Sequence, residues 1–124
     1  MKRTDLLSAT SILTVVMLAL HISQDIVFGL DAAGLNHLVG VAILVVVLCG
    51  AVLLRERTTG RVIMLLGGLM GAAMMPLHMR HGLSADFLGR NGALLFVWTL
   101  YLLAVNGAFS VILAVRALLG RGGT

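Results

Sequence analysis

Four long apolar runs, separated by short polar connections, set the pattern of this chain. They extend from Leu6 to about Leu30, from His37 to Leu54, from Arg61 to about Met79, and from Gly92 to Leu118. Each is close to the 20 or so residues a helix needs to cross a ~30 Å hydrocarbon core. The connections "DAAGLN", "RERTTG" and "RHGLSADFLGRN" are too short to form domains. The pattern therefore predicts an all-α fold: one integral membrane bundle of four transmembrane helices over residues 1–124. "MKR" before the first run resembles the start of a leader, but Asp5 sits at its mouth and the run continues to about Leu30 with no small-x-small site after it. It is expected to be a span rather than a cleaved segment.

Polar residues inside the runs are confined to particular faces. In the first, Thr10, Thr14, Met17, His21 and Asp25 recur at helical spacing, so they share one stripe. In the fourth, Thr99, Asn106 and Ser110 do the same. Lipid offers such groups no hydrogen-bond partner, so both stripes are expected to turn inward and meet in the half of the bundle away from the histidines. The third run carries two stripes that suit close helix contact, Gly67-Gly71-Met74-His78 and Gly68-Ala72-Met75-Met79. Small residues there let backbones approach, and the methionines are expected to be adaptable filling. Pro76, one turn before the end, is expected to bend this helix. "FVWTLY", Phe96 to Tyr101, is expected to be exposed as an interface anchor or partner contact.

Composition agrees with this reading. Of 124 residues, 60% are hydrophobic and 11% charged, against about 25% charged in an ordinary soluble domain, and the mean hydropathy is +1.08. Charge placement adds an orientation. Lys2, Arg3, Arg55, Arg57, Arg61, Arg116 and Arg121 flank one side, and Arg80 and Arg90 the other. The positive-inside rule puts both termini in the cytoplasm. The net charge of +4 and pI near 10.7 come from this collar, which suits anionic headgroups. Without a soluble basic domain it implies no nucleic-acid partner. Eight arginines against one lysine point to a GC-rich prokaryotic genome, hence a prokaryotic cytoplasmic membrane. Cys49 is alone, so it forms no internal disulfide or cysteine metal motif.

The candidate chemistry gathers at the outer end. With this orientation the first and third spans both run outward and arrive as Leu20-His21 and Leu77-His78, with His37, His81, Asp25, Asp31 and Asp86 on the same side. An echo between "LHI...DIVFG" and "LHM...DFLG" places His21 and His78 at similar depth. His21 and Asp25 stand at i, i+4, and imidazoles with a carboxylate are ligands for zinc, nickel, iron or copper(II). The candidate metal ligands are His21, Asp25, His37, His78 and His81. His21 and His78 are equally candidate axial ligands of a haem b, with Gly71 and Ala72 making room beside the macrocycle. The same histidines also fit a plain interfacial role, hydrogen-bonded to neighbours and headgroups.

These features favour a non-catalytic accessory or binding subunit in the lipid bilayer, within a larger membrane complex or a homo-oligomer. The alternative is a small oligomeric transporter or channel. Ion-coupled transport usually keeps an ionisable group near the bilayer centre, whereas all five acidic residues lie toward the ends of the spans. A metal-dependent membrane enzyme is the least favoured class, since no nucleophile motif or nucleotide loop accompanies the histidines.

Overall fold

The computed structural model describes residues 3–28, 35–79 and 85–120, with side chains throughout except at residues 3 and 35–37. Of these residues 90% are helical, and none is in a strand. The helices are α1 (Arg3–Phe28), α2 (Leu35–Val52), α3 (Thr58–His78), α4 (Ala85–Leu88) and α5 (Ala93–Leu119). Three of them, α1, α3 and α5, are long and apolar enough to cross a membrane; α2 contributes a shorter apolar stretch, Leu38–Val52. The fourfold pattern of apolar runs thus appears as three long helices and one shorter one. The one-turn α4 lies within the connection between the third and fourth apolar runs.

Neighbouring ends show an up-down-up-down arrangement. At the arginine-rich end, Ser8 Oγ donates to the carbonyl of Ala51, joining α1 to the end of α2. Exposed Arg55 lies 3.5 Å from Asp5, an ion pair that contributes little in water. Arg61, on the first turn of α3, is buried and its Nη1 donates to the carbonyl of Ala117 at 3.1 Å. The last carbonyls of a helix have no intrahelical partner and carry partial negative charge, so a guanidinium there both caps and neutralises. Arg61 is therefore an internal strut between α3 and α5 and not simply one of the flanking charges.

The bundle is held by side chains that recur every seven residues. Leu7 of α1, Ala51 of α2, Met64 of α3 and Ala114 of α5 form a fully buried cluster near the arginine-rich end. Seven residues along α1 and α3, Thr14 meets Gly71: a Cβ on Gly71 would lie 3.1 Å from Thr14 Cγ2, 3.4 Å from Leu103 Cδ1 and 3.5 Å from Gly107 Cα. Another seven residues bring His21 and His78 together, with Phe96 opposite, seven before Leu103 on the antiparallel α5. Each step advances about 10.5 Å along a helix axis.

Helices α3 and α5, the pair with the most extensive contact, approach backbone to backbone. A Cβ on Gly107 would stand 2.5 Å from the amide nitrogen of Ala72, 2.7 Å from the carbonyl oxygen of Gly68 and 2.8 Å from the carbonyl carbon of Gly71. All three are backbone atoms and cannot swing away. The expected meeting of the polar stripes is present. Asn106 Nδ2 donates to Thr14 Oγ1 at 2.8 Å and to the carbonyl of Thr10 at 3.0 Å, while Thr14 Oγ1 donates to that carbonyl at 3.0 Å. Glycine is also required at position 92, where α5 begins with φ +80° and the Phe28 ring occupies the place a Cβ would take, within 2.6 Å.

Helix α3 runs through Pro76 to His78, and the Met79 amide donates to Met75 O. One sequence expectation changes. In the aromatic run, Trp98 is 61% exposed and Tyr101 is exposed, but Phe96, Val97, Thr99 and Leu100 are buried. The run is therefore divided between two faces and is not one exposed patch.

Because the atoms facing Gly107 are backbone, Gly107→Ala is expected to lower stability by about 1–3 kcal/mol, as overpacking does. Ala108→Leu, on the exposed neighbouring face, should change it by no more than about 0.5 kcal/mol. Thermal unfolding in detergent would check both, and equal effects would contradict this packing.

Candidate metal centre

His21 and Asp25 occupy successive turns of α1 and turn into the bundle, at 2% and 5% exposure. His21 Nε2 lies 3.7 Å from Asp25 Oδ2. Helix α3 supplies His78, whose ring centroid is 4.8 Å from that of His21 at an interplanar angle of 85°. One donor atom from each of His21, Asp25 and His78 falls within 4.8 Å of the others. An ion with ligands at 2.0–2.2 Å holds its donors about 3.3–3.5 Å apart in a tetrahedron, so small side-chain rotations would bring this triangle to ligating distance.

One tautomer follows from the hydrogen bonding. His78 Nδ1 is 3.0 Å from the carbonyl oxygen of Met74, one turn back. A carbonyl only accepts, so Nδ1 carries the proton, and in the neutral ring the lone pair is on Nε2. A backbone carbonyl on the far nitrogen is the usual device that fixes the orientation of a ligating imidazole.

Helix α5 closes one side with Phe96, which is 4% exposed. Its ring centroid lies 4.8 Å from that of His21, tilted by 34°, and 5.8 Å from that of His78 at 67°. Phe87 of α4 packs edgewise on Phe96 at 6.0 Å. Gln24, 4% exposed and next to Asp25, has no hydrogen-bond partner for either amide atom among the described residues. Burial of an amide in that state is costly.

Of the five candidate ligands, then, the structure brings together His21, Asp25 and His78. The side chain of His37, and His81 as a whole, lie outside the described residues, as do Asp31 and Arg80. Asp86 is exposed on α4. Phe96 and Gln24 were not anticipated, although both follow the seven-residue rhythm: Phe96 lies on the Leu103 stripe and Gln24 on that of Thr10 and Met17.

No family model, curated protein or solved structure matches this chain. Its chemistry must be argued from these side chains alone.

The His78 tautomer can be checked directly. In protein with 15N-labelled histidine, studied free of metal at a pH where the ring is neutral, the chemical shifts are expected to show the proton on Nδ1. A proton on Nε2 would contradict the Met74 contact.

Proposed function

We propose that this chain is a four-helix integral membrane protein, with both termini cytoplasmic, that serves as a non-catalytic binding subunit. Its outer end holds one divalent transition-metal ion between His21, Asp25 and His78. The observation that carries the reading is the triangle of nitrogen and oxygen donors from two helices, two of them almost fully buried, within 4.8 Å. Buried imidazoles and carboxylates usually pair with other groups or bind metals.

The membrane part of the proposal rests on the three long apolar helices and on the outward-facing side chains. Val16, Val27, Leu66, Leu94, Val105 and Leu119 are all more than half exposed. Water penalises an apolar surface of that extent, whereas acyl chains accept it. Lysine and arginine placement then supports the orientation.

The geometry favours an ion over haem. Two axial imidazoles on one iron, each nitrogen about 2 Å from the metal, hold their ring centroids about 6 Å apart with a macrocycle between. The His21 and His78 centroids are 4.8 Å apart and nearly perpendicular, with Phe96 against both. The packing also favours binding over conduction. A route from His21 past Thr14 to Asn106 would pass fully buried Thr14, with Gly71 and Leu103 against it and Asn106 bonded to Thr10 and Thr14. The chain fits the role of an accessory component, in a larger membrane complex or a homo-oligomer.

The test is metal analysis of untagged protein purified in mild detergent and equilibrated with zinc. Wild type is expected to retain about one ion per chain. His21→Ala/His78→Ala should bind more than about 100-fold more weakly, beyond what loss of an outer supporting partner costs. Equal retention by both proteins, or no retention by wild type, would overturn the assignment.

A further inference from the structure

Two helices supply the donors, but the third sets their surroundings. Phe96 packs against both imidazoles at once. Phe87 packs edgewise against it, and Ala93 and Leu100, on the adjacent turns of α5, are fully buried. A phenyl ring offers no donor atom, and its contact with both imidazoles sets an apolar wall on the α5 side of the site.

This constraint weighs unequally on different ions. Zinc is satisfied by four ligands and needs only one beyond His21, Asp25 and His78. Nickel and manganese in nitrogen and oxygen sites favour expanded coordination, commonly octahedral, and need three more. The 3.7 Å between His21 Nε2 and Asp25 Oδ2 is already near the tetrahedral spacing of about 3.3–3.5 Å. Raw affinity would not make this choice, since nickel and zinc lie close together in the usual order of divalent ions.

We infer that Phe96 is the specificity-determining residue of this site: its ring confines the bound ion to four-coordination and so selects zinc-class ions over six-coordinate divalent ions. The inference rests on the metal-binding reading above. Phe96 itself ligates nothing; it acts by excluding further ligands.

Cobalt(II) reports both points, because its visible bands are intense when four-coordinate and weak when six-coordinate. Titrated into the metal-free wild type, cobalt is expected to give the intense bands, which equimolar zinc abolishes and equimolar nickel does not. Phe96→Ala should give the weak bands and reduce the preference for zinc over nickel about tenfold, within the usual range for residues just outside the ligands. Phe96→Leu, which keeps the apolar filling, should behave like wild type. Should Phe96→Ala fail to fold, Phe96→Val supplies the opened site, and the wild-type spectrum still tests the coordination number. Weak bands from wild type, or an opened variant with unchanged spectrum and selectivity, would overturn the role of Phe96 and leave the metal site standing. Absence of any cobalt signal in wild type would remove the metal site, and the role of Phe96 with it.

Discussion

The backbone contact between Gly107 and the Gly68–Ala72 turn fixes the spacing from which the rest of the bundle is set. Helices in lipid gain no hydrophobic advantage by meeting one another, so close packing and polar contacts must hold them. Small residues give α3 and α5 that closeness, and Gly71 extends it to Thr14 of α1. From Thr14, Gly71 and the adjacent Leu103, a seven-residue step along each helix leads to His21, His78 and Phe96. Because the step is rigid, a shift of α3 against α5 at Gly107 would be felt at His78, about 10.5 Å away. The candidate site is thus held by backbone contacts well outside it.

Polar groups are treated differently at the two levels. At the junction, Asn106, Thr14 and the Thr10 carbonyl bond to one another. Such a node joins helices and leaves little capacity for a ligand. One heptad on, His78 uses one ring nitrogen to fix its orientation and has a donor atom within 4.8 Å of those of His21 and Asp25. Gln24, next to Asp25, adds a buried amide with no hydrogen-bond partner among the described residues. At the opposite end, Arg61 shows a third solution, a buried cation placed on the carbonyl terminus of α5.

Much of this arrangement was legible from residue spacing. The Thr10-Thr14-His21-Asp25 stripe and the Gly67-Gly71-Met74-His78 stripe identify which residues face inward, and the matched Leu-His pairs place His21 and His78 at one depth. Spacing also anticipated the bonding of Asn106 to the first helix. It did not separate Phe96 from Trp98, because both are large aromatic residues of one apolar run and neither type marks which face is buried. The alignment of Phe96 with Leu103, Gly107 and Ser110 carried that information. Nor did spacing reveal Arg61 as buried: a charge near a helix end resembles a solvated collar until the helix ending beside it is known. The exact ends of the helices shifted by up to three residues, as local sequence leaves them weakly specified.

X-ray absorption at the metal edge of the zinc-loaded wild type would test the central claim most directly, since it reports ligand type and distance together. The proposed site requires imidazole scattering from two histidines, nitrogen and oxygen ligands at about 2.0–2.2 Å, and no sulfur at about 2.3 Å. A sulfur shell, which would point to the methionines of α3 or to Cys49, would contradict it, as would a spectrum of hydrated zinc with no imidazole contribution.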